Sequence, residues 1–287
     1  MKKNIIGTIF LAIMAVLVIF FGRQYAARQE EDMLQDSLSA AETGNTSGTD
    51  SSTGSQPEKE NSADVSSEEL ITRYEENSGL LSILEEIDYQ SLTNDPAMLV
   101  YYGDADLSEA QYANMNTFIT ERINGAVEVE DLTYLDEDTY ELYIQETVDS
   151  VVASEADVVI YSMPALPDKI RDIGTAETNQ YLTSILTALT EELPESEIIL
   201  KEPTPVLGEM DNLNSRSLDY LNYMEEMNVV AETFGLSVLS THERFLSLAE
   251  AEGIELSTLF DSEGIELNEN GQALLQQAVE QALTSTD

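Results

Sequence analysis

The chain has 287 residues and a formal net charge of −44, because 56 Asp and Glu residues outnumber 12 Lys and Arg residues. Nucleic acids and anionic membrane surfaces bind proteins through Lys and Arg that replace released counterions, so this charge argues against both as partners. Cysteine is absent, which excludes disulfide scaffolds, Cys-ligated zinc, iron–sulfur clusters and thiol nucleophiles. One histidine, His242, is left for any Ser-His mechanism.

The N-terminus contains an apolar segment, Ile5 to Gly22, that has no charged residue and is flanked by basic residues on both sides. About 20 helical residues cross the hydrocarbon core of a bilayer, so the segment predicts an uncleaved membrane anchor over residues 1–28. A cleaved signal peptide is the alternative, although its apolar region usually has about 7–15 residues. Tyr25-Ala26-Ala27 is also a poor cleavage site. The acidic remainder favours an extracytoplasmic C-terminal part.

Residues 29–67 are rich in Ser, Thr, Gly, Glu, Asp and Asn and contain hardly any large apolar side chain. Such a segment buries too little surface to offset its ordering entropy, so we expect a disordered acidic linker. The folded domain is therefore expected to occupy residues 68–287.

Short apolar runs alternate with amphipathic helical patterns through the predicted domain. Strands are expected over residues 97–102, 127–129, 158–161, 198–200 and 236–239. Helices are expected over residues 66–87 with a break near Gly79, 108–123 with a capping box of Ser108 and Gln111, 137–152, 178–193, 213–234 and 268–283. Helices between strands imply right-handed βαβ crossovers, hence an α/β fold with a parallel sheet covered on both faces.

Three blocks of the predicted domain resemble motifs of the SGNH/GDSL hydrolase family. Residues 99–105 (LVYYGDA) are similar to the first block, a strand that ends in Gly-Asp-Ser. Residues 157–168 are similar to the third block, and residues 263–271 (EGIELNENG) to the last block, Asp-Gly-x-His-Leu-Asn-x-x-Gly. The resemblance covers roughly residues 96–283. It implies a flavodoxin-like three-layer α/β/α sandwich that hydrolyses acyl esters and carbohydrate esters.

The resemblance fails at each position that the family uses for catalysis. Ala105 stands where the family has its nucleophilic Ser, and a methyl group cannot attack a carbonyl. Pro167 stands at the Asn that donates to the oxyanion, Glu263 at the catalytic Asp and Glu266 at the catalytic His. We therefore expect an inactive relative of the hydrolases. The alternative is an active esterase or deacetylase with a rearranged site.

Other residues offer a displaced nucleophile or base. His242 with Ser240 or Ser162 is one arrangement, although a histidine at the surface or at a helix start is the simpler interpretation. Ser108 is another candidate nucleophile, but a role as helix N-cap already explains it.

Carboxylates are expected to cluster at the rim of the cleft, because Asp104, Asp106 and Asp168 follow strands of the predicted sheet. With Glu263 and Glu266 they form an all-oxygen set that suits Ca²⁺ or Mg²⁺, and Asp104, Asp106 and Glu266 are the candidate ligands. Solvent-exposed carboxylates are the simpler interpretation, so no cofactor is predicted.

Three tyrosines, Tyr134, Tyr140 and Tyr143, lie near the same rim and could stack on sugar faces, although a half-buried packing stripe is the commoner arrangement. The sequence thus predicts a single-pass membrane protein with an extracytoplasmic domain in the cell envelope. The anchor contacts the membrane, and the domain is expected to bind cell-wall glycan or an envelope biosynthetic protein.

Overall fold

The computed structural model describes residues 66–286. The predicted anchor over residues 1–28 and nearly all of the predicted linker over residues 29–67 lie outside the described residues. Within residues 66–286, none of the helices has the length and apolar character needed to cross a bilayer.

A single sheet of five parallel strands forms the centre of the domain, in the order β2-β1-β3-β4-β5. The strands are β1 (Ala97–Gly103), β2 (Val127–Thr133), β3 (Val158–Ser162), β4 (Glu197–Lys201) and β5 (Ser237–Leu239). The predicted parallel sheet is confirmed. Strands β1 to β4 extend beyond their predicted bounds, most of all β2, and β5 begins one residue later than predicted.

Eleven α-helices and one short 3₁₀ helix (Leu256–Thr258) accompany the sheet within residues 66–286. The α-helices are α1 (Ser67–Glu76), α2 (Ile83–Thr93), α3 (Ala110–Thr120), α4 (Thr139–Ile144), α5 (Val148–Ala153), α6 (Ala165–Arg171), α7 (Thr175–Glu192), α8 (Leu207–Met210), α9 (Tyr220–Phe234), α10 (Thr241–Glu252) and α11 (Glu269–Thr284).

The two faces of the sheet carry separate hydrophobic clusters, because successive side chains of a strand point to opposite sides. Tyr101 belongs to the first face, which α2, α3, α10 and α11 cover. Tyr102 belongs to the second face, which α4 to α7 and α9 cover. Strands β1, β3 and β4 are buried on both faces, which explains their apolar runs, whereas the edge strand β2 has no buried residue.

Several helices differ from the sequence prediction. The helix predicted over residues 137–152 is two short helices, α4 and α5, separated at Glu146, which has a φ of 53°. The helix predicted to begin at residue 213 begins at Tyr220. Three helices, α6, α8 and α10, were not predicted.

The capping box predicted from Ser108 and Gln111 is wrong. The N-cap of α3 is Glu109, and its side chain makes no capping hydrogen bond. The amide of Ser108 instead donates to Asp106 at 2.9 Å, so Ser108 belongs to the turn before the helix.

The Leu-Asn-x-x-Gly segment of the last block has a structural explanation. Asn268 caps α11 by accepting hydrogen bonds from the amides of Asn270 and Gly271, and its own side-chain amide donates to the carbonyls of Thr258 and Phe260. A Cβ on Gly271 would lie 2.1 Å from the carbonyl oxygen of Leu259. The segment therefore fixes the last helix against the loop that precedes it.

The substitution Gly271→Ala should destabilise the domain, because the added methyl group overlaps a backbone oxygen that cannot rotate away. Overpacking of this kind costs about 1–3 kcal/mol of the free energy of unfolding. The control is Gly174→Ala, whose Cβ would meet only side-chain ends, at 3.3 Å and beyond. Urea unfolding followed by circular dichroism measures both. Equal midpoints for the two variants would contradict this account of Gly271.

Candidate functional site

The order of the strands places a candidate site at the carboxyl ends of β1 and β3. The chain steps outward from β1 to β2 and then returns to the other side of β1 to form β3. Ligands of parallel α/β sheets bind beyond the strand ends at such a reversal. The first and third sequence blocks both end here, with Gly103 aligned to Ser162 in the register of the sheet.

The end of β1 is tied directly to the end of β3. The amide of Asp104 donates to the carbonyl oxygen of Ser162 at 3.1 Å. Gly103 has a φ of 87°, and a Cβ there would lie 2.3 Å from the same oxygen and 2.7 Å from the ring of Tyr161. Only glycine fits this contact.

Ala105 follows this tie and is only 5% exposed. Its methyl group belongs to the first-face cluster, together with Tyr101 and Tyr112. The position that matches the family's nucleophile is therefore filled by a small apolar side chain that packs into the core.

A buried polar group, which the sequence analysis did not single out, lies beside this position. The side chain of Lys201, at the end of β4, is 2% exposed, and its Nζ donates to the carbonyl oxygen of Glu202 at 3.1 Å. Nζ also lies 5.4 Å from the centre of the Tyr112 ring. The Tyr112 hydroxyl is 3.4 Å from the hydroxyl of Ser162, so these three side chains fill the first-face side of the strand ends.

The charges of this group are set by burial. Burial lowers the pKa of Lys201 to about 8, against the opposing effect of Glu109, Asp104 and Glu202. Burial likewise raises the pKa of Asp104 to about 6, although the amide of Asp136 donates to its carboxylate at 2.9 Å. The two groups affect each other, because Lys201 lowers the pKa of Asp104 and Asp104 raises the pKa of Lys201, each against the larger effect of burial.

An open cleft of about 440 Å³ remains next to this closed region. Its walls come from the start of α3, from the loop after β4 and from the loop before α11, and they include Gln111, Thr204 and Ile265. The Gln111 side-chain amide donates to the Thr204 hydroxyl at 3.2 Å, and that hydroxyl is also 3.2 Å from the Gln111 carbonyl oxygen. This pair of contacts joins the start of α3 to the loop after β4.

The two residues of the last block that stand at the catalytic Asp and His positions, Glu263 and Glu266, lie in a turn. Both Glu263 and Glu266 are exposed, and Glu266 lines the cleft. The turn is held by Asp261, whose carboxylate accepts from the amides of Ile265 at 2.9 Å and Glu266 at 3.3 Å. These amide hydrogen bonds lower the pKa of Asp261. Among residues 66–286, no hydroxyl is hydrogen-bonded to the carboxylate of either glutamate.

The third block places its two key residues inside helix α6. Pro167 is buried in this helix. Asp168, expected at the rim, is fully buried, and its carboxylate accepts from the amide of Thr139 at 2.7 Å and from the hydroxyls of Thr139 and Thr178. Burial raises the pKa of Asp168 to about 7. The carboxyl group joins α4, α6 and α7 rather than facing a ligand.

The candidate metal ligands are not brought together. Asp104 is bonded to the amide of Asp136, Asp106 caps the turn at Ser108, and Glu266 lies in the turn of the last block. Among residues 66–286, no group of three or more His, Asp or Glu side chains has an arrangement that could hold a metal ion.

The tyrosines expected near the rim pack mainly on other aromatic rings. Tyr134 lies edge-on to Tyr102, with ring centres 6.1 Å apart. Tyr140 and Tyr143 both contact Tyr181 of α7, at 5.3 and 5.4 Å between ring centres. Tyr143 keeps an exposed ring edge, so this cluster is a surface packing stripe.

Solved structures show the same architecture. One is a protein described as a GDSL-like lipase from Parabacteroides merdae, with a TM-score of 0.52, 12% identity, and coverage of 66% of this chain and 96% of that chain. Another is a catalytic mutant of Axe2, an acetylxylan esterase from Geobacillus stearothermophilus, with a TM-score of 0.52, 17% identity, and coverage of 66% and 95%. The domain has an SGNH/GDSL hydrolase-like fold. No protein-family model and no curated protein matches the sequence.

In this SGNH/GDSL-like domain, His242 is bonded to a tyrosine. Its Nε2 is 2.8 Å from the hydroxyl of Tyr220, which in turn accepts from the amide of Val206 at 3.2 Å. The tautomer of His242 decides whether the hydroxyl of Tyr220 or Nε2 donates in this hydrogen bond. The hydroxyl of Ser240 is directed to the carbonyl of Val238, and that of Ser162 to Tyr112, so neither serine is hydrogen-bonded to His242.

Burial lowers the pKa of His242 from 6.5 to about 4. The imidazole should stay neutral from pH 8 to pH 5, and it should contribute stability that is lost as pH falls from 6.5 toward 4, because only the unfolded chain binds the proton in that range. NMR follows this directly, since the chain has one histidine and its ring signals need no assignment. An inflection near pH 6.5 would contradict the buried, tyrosine-bonded histidine.

Proposed function

We propose that the protein is a membrane-tethered binding module of the cell envelope, in which an SGNH/GDSL-like domain binds cell-wall glycan without hydrolysing esters. The observation that carries the proposal is the buried methyl group of Ala105 at the end of β1, beside a cleft that is still open. Ester hydrolysis by covalent catalysis requires a nucleophile activated by a nearby base. Within residues 66–286, the buried methyl group of Ala105 and the hydrogen bond of His242 to Tyr220 support a domain without such a pair at the strand ends.

The serines near the strand ends support the same view. Ser162 is 2% exposed, with its hydroxyl 3.4 Å from that of Tyr112, and the hydroxyl of Ser240 is directed to the carbonyl of Val238. A serine nucleophile has to reach a carbonyl carbon and needs a base within hydrogen-bond distance. His242, the residue expected to act as the base for such a serine, is hydrogen-bonded to Tyr220 instead.

The chemistry of the cleft suits a glycan. Polar side chains of Gln111, Thr204 and Gln272 offer amide and hydroxyl groups, and Pro205 and Ile265 add apolar surface. Ligand sites combine apolar walls with a few polar groups that fix the orientation of the ligand, and sugars present both kinds of surface. The negative charge of Glu109 and Glu266 in the same walls disfavours anionic ligands.

The N-terminal sequence supplies the cellular part of the proposal. An apolar segment over residues 5–22 precedes an acidic linker, so the domain would remain attached to the membrane while reaching the wall. An envelope biosynthetic protein is a second class of partner that this placement allows.

Calorimetric titration of the full-length protein, purified in detergent, with O-acetylated cell-wall glycan fragments tests the proposal, with acetate measured in the same samples. We expect saturable binding and no acetate above the protein-free control. Ile265→Asp should weaken binding at least about tenfold, because it adds a carboxylate to an apolar wall of the cleft. The matched control is Ile170→Asp, since Ile170 is 71% exposed on α6 and does not line the cleft.

Two results would contradict the proposal. Release of acetate that rises in proportion to protein concentration would indicate an active esterase with a rearranged site. Equal affinity of the two isoleucine variants would place the glycan outside the cleft.

A further inference from the structure

A groove lies at the edge of the sheet beyond β5, between α9 and α10. Helix α9 packs on the second face of the sheet through residues such as Tyr223, and α10 packs on the first face through Phe245. Within residues 66–286, the sheet ends on this side with β5, a strand of only three residues. The resulting groove has a volume of about 400 Å³.

Apolar side chains line this groove with helical spacing. Leu221, Met224 and Val229 come from α9, and Leu246 comes from α10. Val229 is 49% exposed, which is high for a large apolar side chain. At 1.5 Å per residue, the lining part of α9 is about 16 Å long, or three turns of helix. This length and spacing fit a partner helix that presents apolar residues at positions i, i+3 or i+4, and i+7.

The rim of the groove is acidic. Glu225 and Glu232 on α9 and Glu243 on α10 line it, and the groove-lining set contains neither Lys nor Arg. An apolar floor with carboxylates on both walls complements a helix whose apolar face is flanked by Lys or Arg.

The floor adds hydrogen-bond acceptors. The Glu202 carboxylate is 2% exposed and accepts from the amides of His242 and Glu243, both at 3.1 Å, and from the side-chain amide of Asn228 at 3.2 Å. The Asn228 oxygen Oδ1 is itself buried without a hydrogen-bond partner. An unpaired buried acceptor is costly, and a donor supplied by a bound partner would relieve that cost.

We propose that this groove binds a basic amphipathic helix of a partner protein. The apolar face of that helix lies along Leu221, Met224 and Val229, and its flanking cations face Glu225, Glu232 and Glu243. A second copy of this chain is a poor occupant, because two chains with a net charge of −44 repel each other. The inference concerns a surface separate from the glycan cleft and does not depend on the proposed function.

The absence of cysteine allows a probe at one position. The full-length variant Val229→Cys carries one thiol, which is labelled with an environment-sensitive dye. The test ligand is a 15-residue amphipathic peptide of leucine and lysine, added at 150 mM salt to limit non-specific attraction. We expect a saturable blue shift of the dye. A dye on Leu80→Cys, at another exposed apolar position, should not respond.

Charge variants of the labelled protein distinguish binding of the peptide in the groove from non-specific electrostatic attraction of the peptide to the acidic surface. Glu225→Gln/Glu232→Gln should raise the dissociation constant at least about fivefold. The matched control, Glu121→Gln/Glu128→Gln, removes the same charge from exposed positions, one of them on β2 at the opposite edge of the sheet. It should change the dissociation constant less than twofold. Fluorescence anisotropy of a dye-labelled peptide, measured with unlabelled protein, should show a similar loss of affinity for Val229→Asp.

Three results would overturn the inference. Equal weakening by both charge pairs would mean non-specific attraction. A dimer in mass photometry that Val229→Asp dissociates would assign the groove to a second copy. A dye that is shielded without peptide, and becomes exposed when residues 1–28 are removed, would assign it to the chain's own N-terminus.

Discussion

The hydrogen bond from the Asp104 amide to the Ser162 carbonyl is the constraint on which the strand ends depend. It draws the ends of β1 and β3 together so closely that only glycine fits at position 103, against the ring of Tyr161. The space beside this tie is then filled from the first face by Tyr112 and Lys201. A region that is usually open for a ligand in parallel α/β sheets is here packed as core. The remaining cleft lies to one side of it.

The motif positions that resemble the hydrolases fall into two groups, those that build the fold and those that carry out the reaction. Residues of the shared motifs that build the fold are present, since Gly103 permits the close approach of β3, and Asn268 and Gly271 seat the last helix. Positions that carry out the reaction hold other residues, from the methyl group of Ala105 to the exposed carboxylates of the last turn. Packing and capping explain the first kind of residue without reference to any chemistry at the strand ends.

Much of the fold could be predicted because its signals are local. Apolar runs between helical patterns predicted the parallel sheet, and Gly79 marked the break between the first two helices. The break between α4 and α5 could not be predicted, because Glu146 adopts a positive φ without a glycine or asparagine to indicate it. Helices α6 and α10 are short or begin with residues that also suit loops, so their formation depends on packing against the sheet.

The site was harder to predict than the fold, because burial of charge depends on tertiary partners. Asp168 follows a strand in sequence and so was expected at the rim, yet three hydrogen bonds from threonines hold it between helices. Lys201 directly follows three apolar residues of β4, and that was the one signal that pointed to a buried cation. Nothing in the spacing of the chain indicated that Tyr112 and Ser162 would lie beside it.

The central claim is that the domain keeps the fold of the ester hydrolases without a reactive serine. A fluorophosphonate probe tests it most directly, because the probe forms a stable bond with an activated serine and leaves ordinary serines unmodified. Intact mass spectrometry of the full-length protein after prolonged exposure should show no adduct. A stoichiometric adduct that peptide mapping places on Ser162, Ser240 or another serine would contradict the claim and identify the nucleophile of a rearranged active site.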